Sequence, residues 1–298
     1  MGSAIAISRD RTIFSPVWHG SHDFREERRE RELLRLFISE VSGVPKLKRC
    51  GCTVRLGHPG SARAILDRTI SCRCKWLCPT CGFAAYGEES AKLKYRLLGW
   101  TGRGGAVAML SLSQSHTPDD RLGQLWSSLE AGWAALVRGS GWTADKQAYG
   151  VRAYIRIAEV VYSWAWGWHP HFHVILLLDQ RLEQPDMDRL KASLTARFFR
   201  GVSAAGGRAG PEGQDLQPMI PGTEWELADY CFKGTARCWT DGESRNPMAI
   251  AADVEATGEG MPLWREFVAA VSDRTRMQVS PSRGIDVLCR PGPLHYLD

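Results

Sequence analysis

The chain of 298 residues has no apolar run long enough to cross a bilayer, and its first residues lack the apolar core of a secretory signal. A cytoplasmic protein is therefore expected. No Gly-x-x-x-x-Gly-Lys-Ser/Thr loop is present, which argues against a built-in ATPase or helicase. Excess charge is also small: at a net +5, composition alone does not announce a nucleic-acid partner. Nine cysteines, an odd number in a chain expected to be cytoplasmic, speak against a disulfide framework and for metal binding and free thiols. The length leaves room for one large domain or two modest ones.

The most informative stretch is Trp168-His169-Pro170-His171-Phe172-His173-Val174-Ile175-Leu176-Leu177-Leu178. Its apolar second half predicts a buried strand. Side chains alternate along a strand, so His171 and His173 share a face while Phe172 and Val174 point to the other. Two imidazoles side by side suit a divalent metal, although an isolated His-x-His is more often a pair of ordinary core or surface residues.

The preceding segment, Val151 to Val161, predicts a second strand with Ile155, Ile157, Glu159 and Val161 on one face. A short loop containing Gly167 joins the two, which predicts a hairpin. A carboxylate buried in an apolar strand must be paired, protonated or metal-bound. The hairpin could bring Glu159 beside His171 and His173, and two histidines plus a carboxylate suit Mg²⁺ or Mn²⁺. The plainer alternative for Glu159 is an exposed edge position.

Downstream, Glu224 to Lys233 predicts a helix, with Thr223 as N-cap and Glu226 three residues on. Glu226, Tyr230 and Lys233 fall on one helical face. Alone, that stripe is ordinary surface chemistry. Beside a metal site it supplies a base, an oxygen nucleophile and a cation.

Six cysteines lie between Cys50 and Cys81: Cys50-x-Cys52, Cys72-x-Cys74 and Cys78-Pro79-Thr80-Cys81. The closing Cys-x-x-Cys knuckle points to structural zinc. Cys78 and Cys81 are the first choice as ligands, completed by Cys74 and Cys50, with Cys52, Cys72 and His58 as rivals. The same segment carries Lys46, Lys48, Arg49, Arg55, Arg63, Arg68, Arg73 and Lys75 against Asp67. Local charge of that kind fits a phosphate backbone, and Trp76 is either a base-stacking side chain or a core residue.

The remaining periodicities predict a charged amphipathic helix over 24–41 and a helix over 83–100. A strand over 106–112 and a helix with its apolar stripe from Leu122 to Val137 follow. Beyond the hairpin come a helix over 185–199, a Gly-rich loop over 201–213 and a strand over 214–220. This order reads as an α+β fold, an antiparallel sheet with helices packed on one face, preceded by a small cysteine-rich zinc-binding module. The division expected is an arm and charged helix over 1–45, a zinc and DNA-binding module with its linker helix over 46–100, and a main domain over 101–298.

Taken together, His171-Phe172-His173, Tyr230-x-x-Lys233, Glu226 and Glu159 resemble the HUH endonucleases. Within these they resemble the rolling-circle replication initiators (Rep proteins) of small bacterial plasmids, in the branch using one tyrosine and a glutamate. Met109 to His116 resembles the family's first motif. Asn246-Pro247 to Gly260, Leu263 to Phe267 and Ser282-Arg283-Gly284 resemble its C-terminal block. The resemblance covers roughly residues 48 to 290. It implies a ferredoxin-like sheet with the metal site opposite the main helices. It also implies a nick in single-stranded origin DNA with Tyr230 as nucleophile, and a host helicase and single-strand binding protein as partners. Rival readings are an HUH transposase or relaxase, a non-catalytic zinc-binding DNA regulator, and a metallohydrolase of small substrates. Oligomeric state is not legible.

Overall fold

A computed structural model describes residues 24–56, 66–232, 240–241, 244–272 and 278–290. The helix α1 (Phe24–Val41) is followed by a short α2 (Pro45–Lys48) and a small antiparallel pair, β1 (Thr53–Leu56) and β2 (Leu66–Thr69). The long α3 (Pro79–Thr101) leads to β3 (Ala106–Leu112), α4 (Leu122–Leu136) and α5 (Gly139–Ala148). The hairpin β4 (Val151–Ser163) and β5 (Gly167–Leu178) comes next, then α6 (Gln184–Ala204), β6 (Gln214–Pro218) and α7 (Glu224–Phe232). Short strands β7 (Thr240–Asp241) and β8 (Ser244–Arg245) precede α8 (Pro247–Thr257) and α9 (Met261–Val271). β9 (Val279–Pro281) and α10 (Ile285–Leu288) end the described chain.

The main sheet runs β6-β3-β5-β4-β8-β7, antiparallel throughout, with β9 also pairing to β4. The expected antiparallel sheet with helices is thus present. Residues alternate between its faces as the two-residue period requires. Ala108, Leu110, Leu112, Ala158, Val160, Phe172, Val174 and Leu176 face one side and pack with Leu129, Trp126, Leu194 and Phe198 of α4 and α6. Gly132 and Gly201 let those two helices approach closely, since a side chain at either would meet the other helix.

The opposite face carries Val107, Ile155, Ile157, Ile175 and Leu177 against Tyr86, Leu93 and Leu97 of α3 and Leu227, Ala228 and Phe232 of α7. Helices therefore also lie on this second face, next to the histidines. Leu47, Cys50, Cys72, Leu77 and Cys78 belong to the first core, together with Leu34 and Ile38 of α1, so the cysteine-rich segment packs onto the main fold. Trp76 is half-buried and packs against that core, with its ring edge-on to Trp126 at 5.2 Å and to Phe267 at 6.2 Å.

Several elements differ from the sequence reading. α3 begins at Pro79, inside the cysteine knuckle, and α6 runs on into the Gly-rich stretch to Ala204. α5 was not expected. Two glycines in its first turn, Gly139 and Gly141, mimic a loop, yet Trp142 and Asp145 anchor it in the core.

Candidate metal centres and nucleophile

The β4–β5 ladder places Glu159 directly opposite His171 and Ile157 opposite His173. Glu159 Oε2 lies 3.1 Å from His171 Nε2 and 3.2 Å from His173 Nε2. The three ligand atoms form one compact group able to hold a metal ion. The tight turn that creates this register has three residues, Trp164 to Trp166, closed by Gly167 at φ 77. That left-handed position favours glycine, and a side chain there would also strike the Thr117–Pro118 backbone.

The protonation chemistry of this group fits a cation. Burial opposes charge on Glu159, but the two imidazoles outweigh it and hold the carboxyl well below its ordinary range. Burial likewise opposes charge on His171, and the partnership with Glu159 outweighs it, raising that imidazole above its ordinary value. His171 Nδ1 lies 3.4 Å from the carbonyl of His169, so both ring nitrogens face acceptors. A proton at Nε2 satisfies that arrangement, and so would a divalent metal in its place. Ser111 Oγ, 3.4 Å from His173 Nδ1, orients the second imidazole in the same way.

Tyr230, on α7, lies beside this group, with its ring centroid 5.5 Å from that of His173. Burial, and next the negative charge of Glu159, push the phenol above its ordinary pKa. Glu226 is exposed one helical turn earlier. Thr223 does not serve as the expected N-cap: its hydroxyl donates back to the Ile220 carbonyl at 2.7 Å. Lys233 lies outside the described residues.

Two further histidines extend the row. His169 follows the same alternation as His171 and His173, and its Nδ1 lies 2.9 Å from Nε2 of His116. The other nitrogen of His116, Nδ1, lies 2.8 Å from the Trp166 carbonyl. Burial lowers the pKa of both imidazoles. Neutral rings then satisfy the chain with His116 Nδ1–H donating to Trp166 and His169 Nδ1–H donating to His116. The sequence carried no sign of this contact between residues 53 positions apart.

The second group consists of Cys50, Cys72, Cys78 and Cys81. Their sulfurs stand 3.7 Å (Cys50–Cys78), 3.5 Å (Cys50–Cys81) and 3.6 Å (Cys72–Cys81) apart. A tetrahedron with Zn–S bonds of about 2.3 Å has edges of ~3.8 Å. The group brought together thus contains Cys72 where the sequence reading chose Cys74. Arg73 explains the exchange: it adopts the left-handed conformation (φ 55), turning the chain between the two cysteines. The Cys74 thiol is left to donate to the Cys72 carbonyl at 3.5 Å. S–H groups of Cys74, Cys78 and Cys81 push the Cys72 thiol far down, while burial pushes Cys50 up to about 11. Four sulfurs in one compact, mostly buried group suit a soft cation such as Zn²⁺. Cys52 is exposed, and His58 lies outside the described residues.

Around this cluster Lys46, Lys48, Arg49, Arg73 and Lys75 are exposed, and Lys75 pairs with Glu89 at 3.6 Å. The side chain of Arg55 lies outside the described residues, as do those of Arg63 and Arg68.

Comparison with known proteins follows the same segment of chain. Residues 63–184 match a family described as "Replication protein", a span that includes Cys72 to Cys81, Glu159, His171 and His173. A "Neomycin resistance protein" of Streptomyces cyanogenus is 28% identical over 154 residues, 44% of this chain and 35% of that protein. A "Protein rep" of Streptomyces lividans is 26% identical over 156 residues, 44% of this chain and 34% of that protein. The chain thus aligns with about a third of the length of the curated relatives it matches. No solved structure matches it. Among the described residues, no helix is long and apolar enough to cross a membrane.

Proposed function

We propose that this protein initiates rolling-circle replication of a plasmid by nicking single-stranded origin DNA with Tyr230, in the manner of the HUH endonucleases. The reading rests above all on one arrangement: a carboxylate and two imidazoles on one sheet face, with a tyrosine ring 5.5 Å from the nearer histidine. Similarity to replication proteins over residues 63–184 supports it.

Glu159, His171 and His173 would hold Mg²⁺ or Mn²⁺, which when bound supplies positive charge against a scissile phosphate. The phenolic oxygen of Tyr230 attacks phosphorus in line and forms the new P–O bond. The bond to the 3′-oxygen breaks, and that oxygen takes up a proton to become the free 3′-hydroxyl that primes synthesis. The 5′ end of the downstream strand is then esterified to Tyr230. A neutral phenol is a weak nucleophile, and burial here makes it weaker, so the proton must leave to a base as the bond forms. Lys233, three residues on in the sequence, steadies the phenolate or a phosphate. Glu226 takes the proton of a water molecule in the closing step, which frees the product without a second tyrosine.

In this scheme Cys50, Cys72, Cys78 and Cys81 hold a structural Zn²⁺, and Lys46, Lys48, Arg49, Arg55, Arg73 and Lys75 grip the DNA backbone. The three-part division at residues 45 and 100 describes these roles. The setting is the cytoplasm, with a host helicase and single-strand binding protein unwinding and covering the template.

The deciding experiment uses a labelled single-stranded origin oligonucleotide from the replicon that encodes the chain, with Mn²⁺, with and without chelator. Wild type should form a protein–DNA adduct that survives denaturation, and Tyr230→Phe should not. Binding without cleavage or adduct would favour a zinc-containing DNA-binding regulator instead.

A further inference from the structure

Hairpin turns are normally built from glycine, asparagine and aspartate, which meet the backbone demands of the turn. The β4–β5 turn is Trp164-Ala165-Trp166. Trp164 is 54% exposed and Trp166 46%. Neither ring is needed to close the turn. Its geometry comes from Gly167, from the Ser163–Trp166 backbone bond at 3.3 Å, and from Ser163 Oγ accepting from Ala165 N at 3.3 Å. Trp126, Trp133, Trp142, Trp168 and Trp264 are buried, and Trp225 on α7 is the third exposed indole among the described residues at 55%, so what sets Trp164 and Trp166 apart is that the two stand together in one three-residue turn.

The tip is fixed to the candidate catalytic centre. His116 accepts no freedom there: its ring bridges the Trp166 carbonyl at 2.8 Å and His169 at 2.9 Å, and His169 stands next to His171 with ring centroids 4.9 Å apart. Trp164 is held edge-on by Tyr162 at 5.3 Å. Gly167 and His171 are separated by roughly 13 Å of strand at ~3.3 Å per residue. Two flat, exposed indoles thus sit at one end of the histidine row, while Tyr230 lies against His173 at the other end.

We propose that Trp164 and Trp166 form a base-stacking platform for the single-stranded DNA whose phosphate is addressed by Glu159, His171, His173 and Tyr230. The proposal rests on the nicking reading above and adds a binding site for the substrate strand, distinct from the basic cysteine-rich segment. Indole faces stack on any base, so the platform holds the strand without reading its sequence. Rigid attachment through His116 keeps the held bases at a set distance from the scissile phosphate.

The test uses a labelled oligothymidylate of about 20 nucleotides, in chelator so that no cleavage occurs, with affinity read by anisotropy. Trp164→Ala and Trp166→Ala should each weaken binding about tenfold, Phe at the same positions should restore most of it, and Leu should not. Tyr95→Ala, which removes an equally exposed aromatic from α3, should bind as wild type. Mn²⁺ affinity of each variant, read by calorimetry, should match wild type and certifies an intact hairpin. Binding within twofold of wild type in the Ala or Leu variants would overturn the platform. So would equal weakening by Phe and Leu, which would assign the indoles a structural role. The adduct assay with Mn²⁺ separates the two readings: wild-type adduct with unaffected Trp variants removes only the platform, whereas no wild-type adduct and no oligothymidylate binding removes the nicking reading along with it.

Discussion

Glu159 and His171 face each other across the β4–β5 ladder, with Glu159 Oε2 3.1 Å from His171 Nε2. The carboxyl is held in its charged form and the imidazole is drawn toward its charged form, so a proton occupies the place a metal would take. Metal binding must displace that proton. Because the folded pKa of His171 lies above that of a free histidine, competition persists to higher pH than usual. Mn²⁺ affinity should rise about tenfold per pH unit below that pKa and level off above it. Calorimetry in buffers of different ionisation enthalpy measures both the affinity and the proton released. Affinity constant from about pH 5.5 to 8 would exclude His171 as a ligand.

The zinc set makes a sharp distinction between neighbours. Cys72→Ser and Cys78→Ser remove members of the four-sulfur group, and Cys74→Ser does not. The first two should lose bound zinc and lower Tm by roughly 5–10 °C, since this cluster shares a core with α1. Cys74→Ser should keep both metal and Tm. Zinc released to a colorimetric chelator, beside a thermal melt, gives the answer. Retention of zinc by Cys72→Ser would return Cys74 to the set.

The hairpin and the clustering of Glu159, His171 and His173 were legible because their information is local. Period-two alternation assigns the faces, and a short Gly-containing loop fixes the register between segments only a few residues apart. The tyrosine helix was legible as a helix, but its seat beside His173 is a long-range fact that spacing does not carry. The choice between Cys72 and Cys74 hinged on the backbone of Arg73, a left-handed non-glycine residue that no propensity announces. The same limit hid β9, three residues from the far end of the chain that pair with Ile155 to Ile157 of β4. The contact between His116 and His169 depends on a loop closing over the hairpin and was equally invisible.

The unexpected α5 is held by a buried pair. Arg197 of α6 bonds Asp145 at 2.5 Å, with side chains 10% and 9% exposed, and Ser193 donates to the same carboxylate at 2.9 Å. Arg197 Nε also reaches the Leu136 carbonyl at 3.1 Å, so the guanidinium links three helices. Asp145→Ala leaves that cation buried without its counter-charge. Urea unfolding should show a loss of about 3 kcal/mol, with little effect on Mn²⁺ affinity because the pair lies among the helices on the face opposite the metal group. A loss below about 1 kcal/mol would mean that solvent reaches Arg197 in the folded state.

Glu226 divides the two halves of the proposed cycle. It stands on α7 four residues before Tyr230 and is exposed to solvent, where water can reach it. The first step needs Tyr230 as nucleophile and makes no use of Glu226. The closing step needs a base to take a proton from water. General-base removal costs roughly 10²–10⁴ in rate. Glu226→Gln should therefore form the Tyr230 adduct at close to the wild-type rate and release it at least about 100-fold more slowly. Denaturing gels sampled through the time course would show adduct accumulating where wild type passes through it. Normal turnover in Glu226→Gln would move water activation to another group. Failure to form adduct at all would bring Glu226 into the first step, where the carboxylate would have to act on Tyr230 itself.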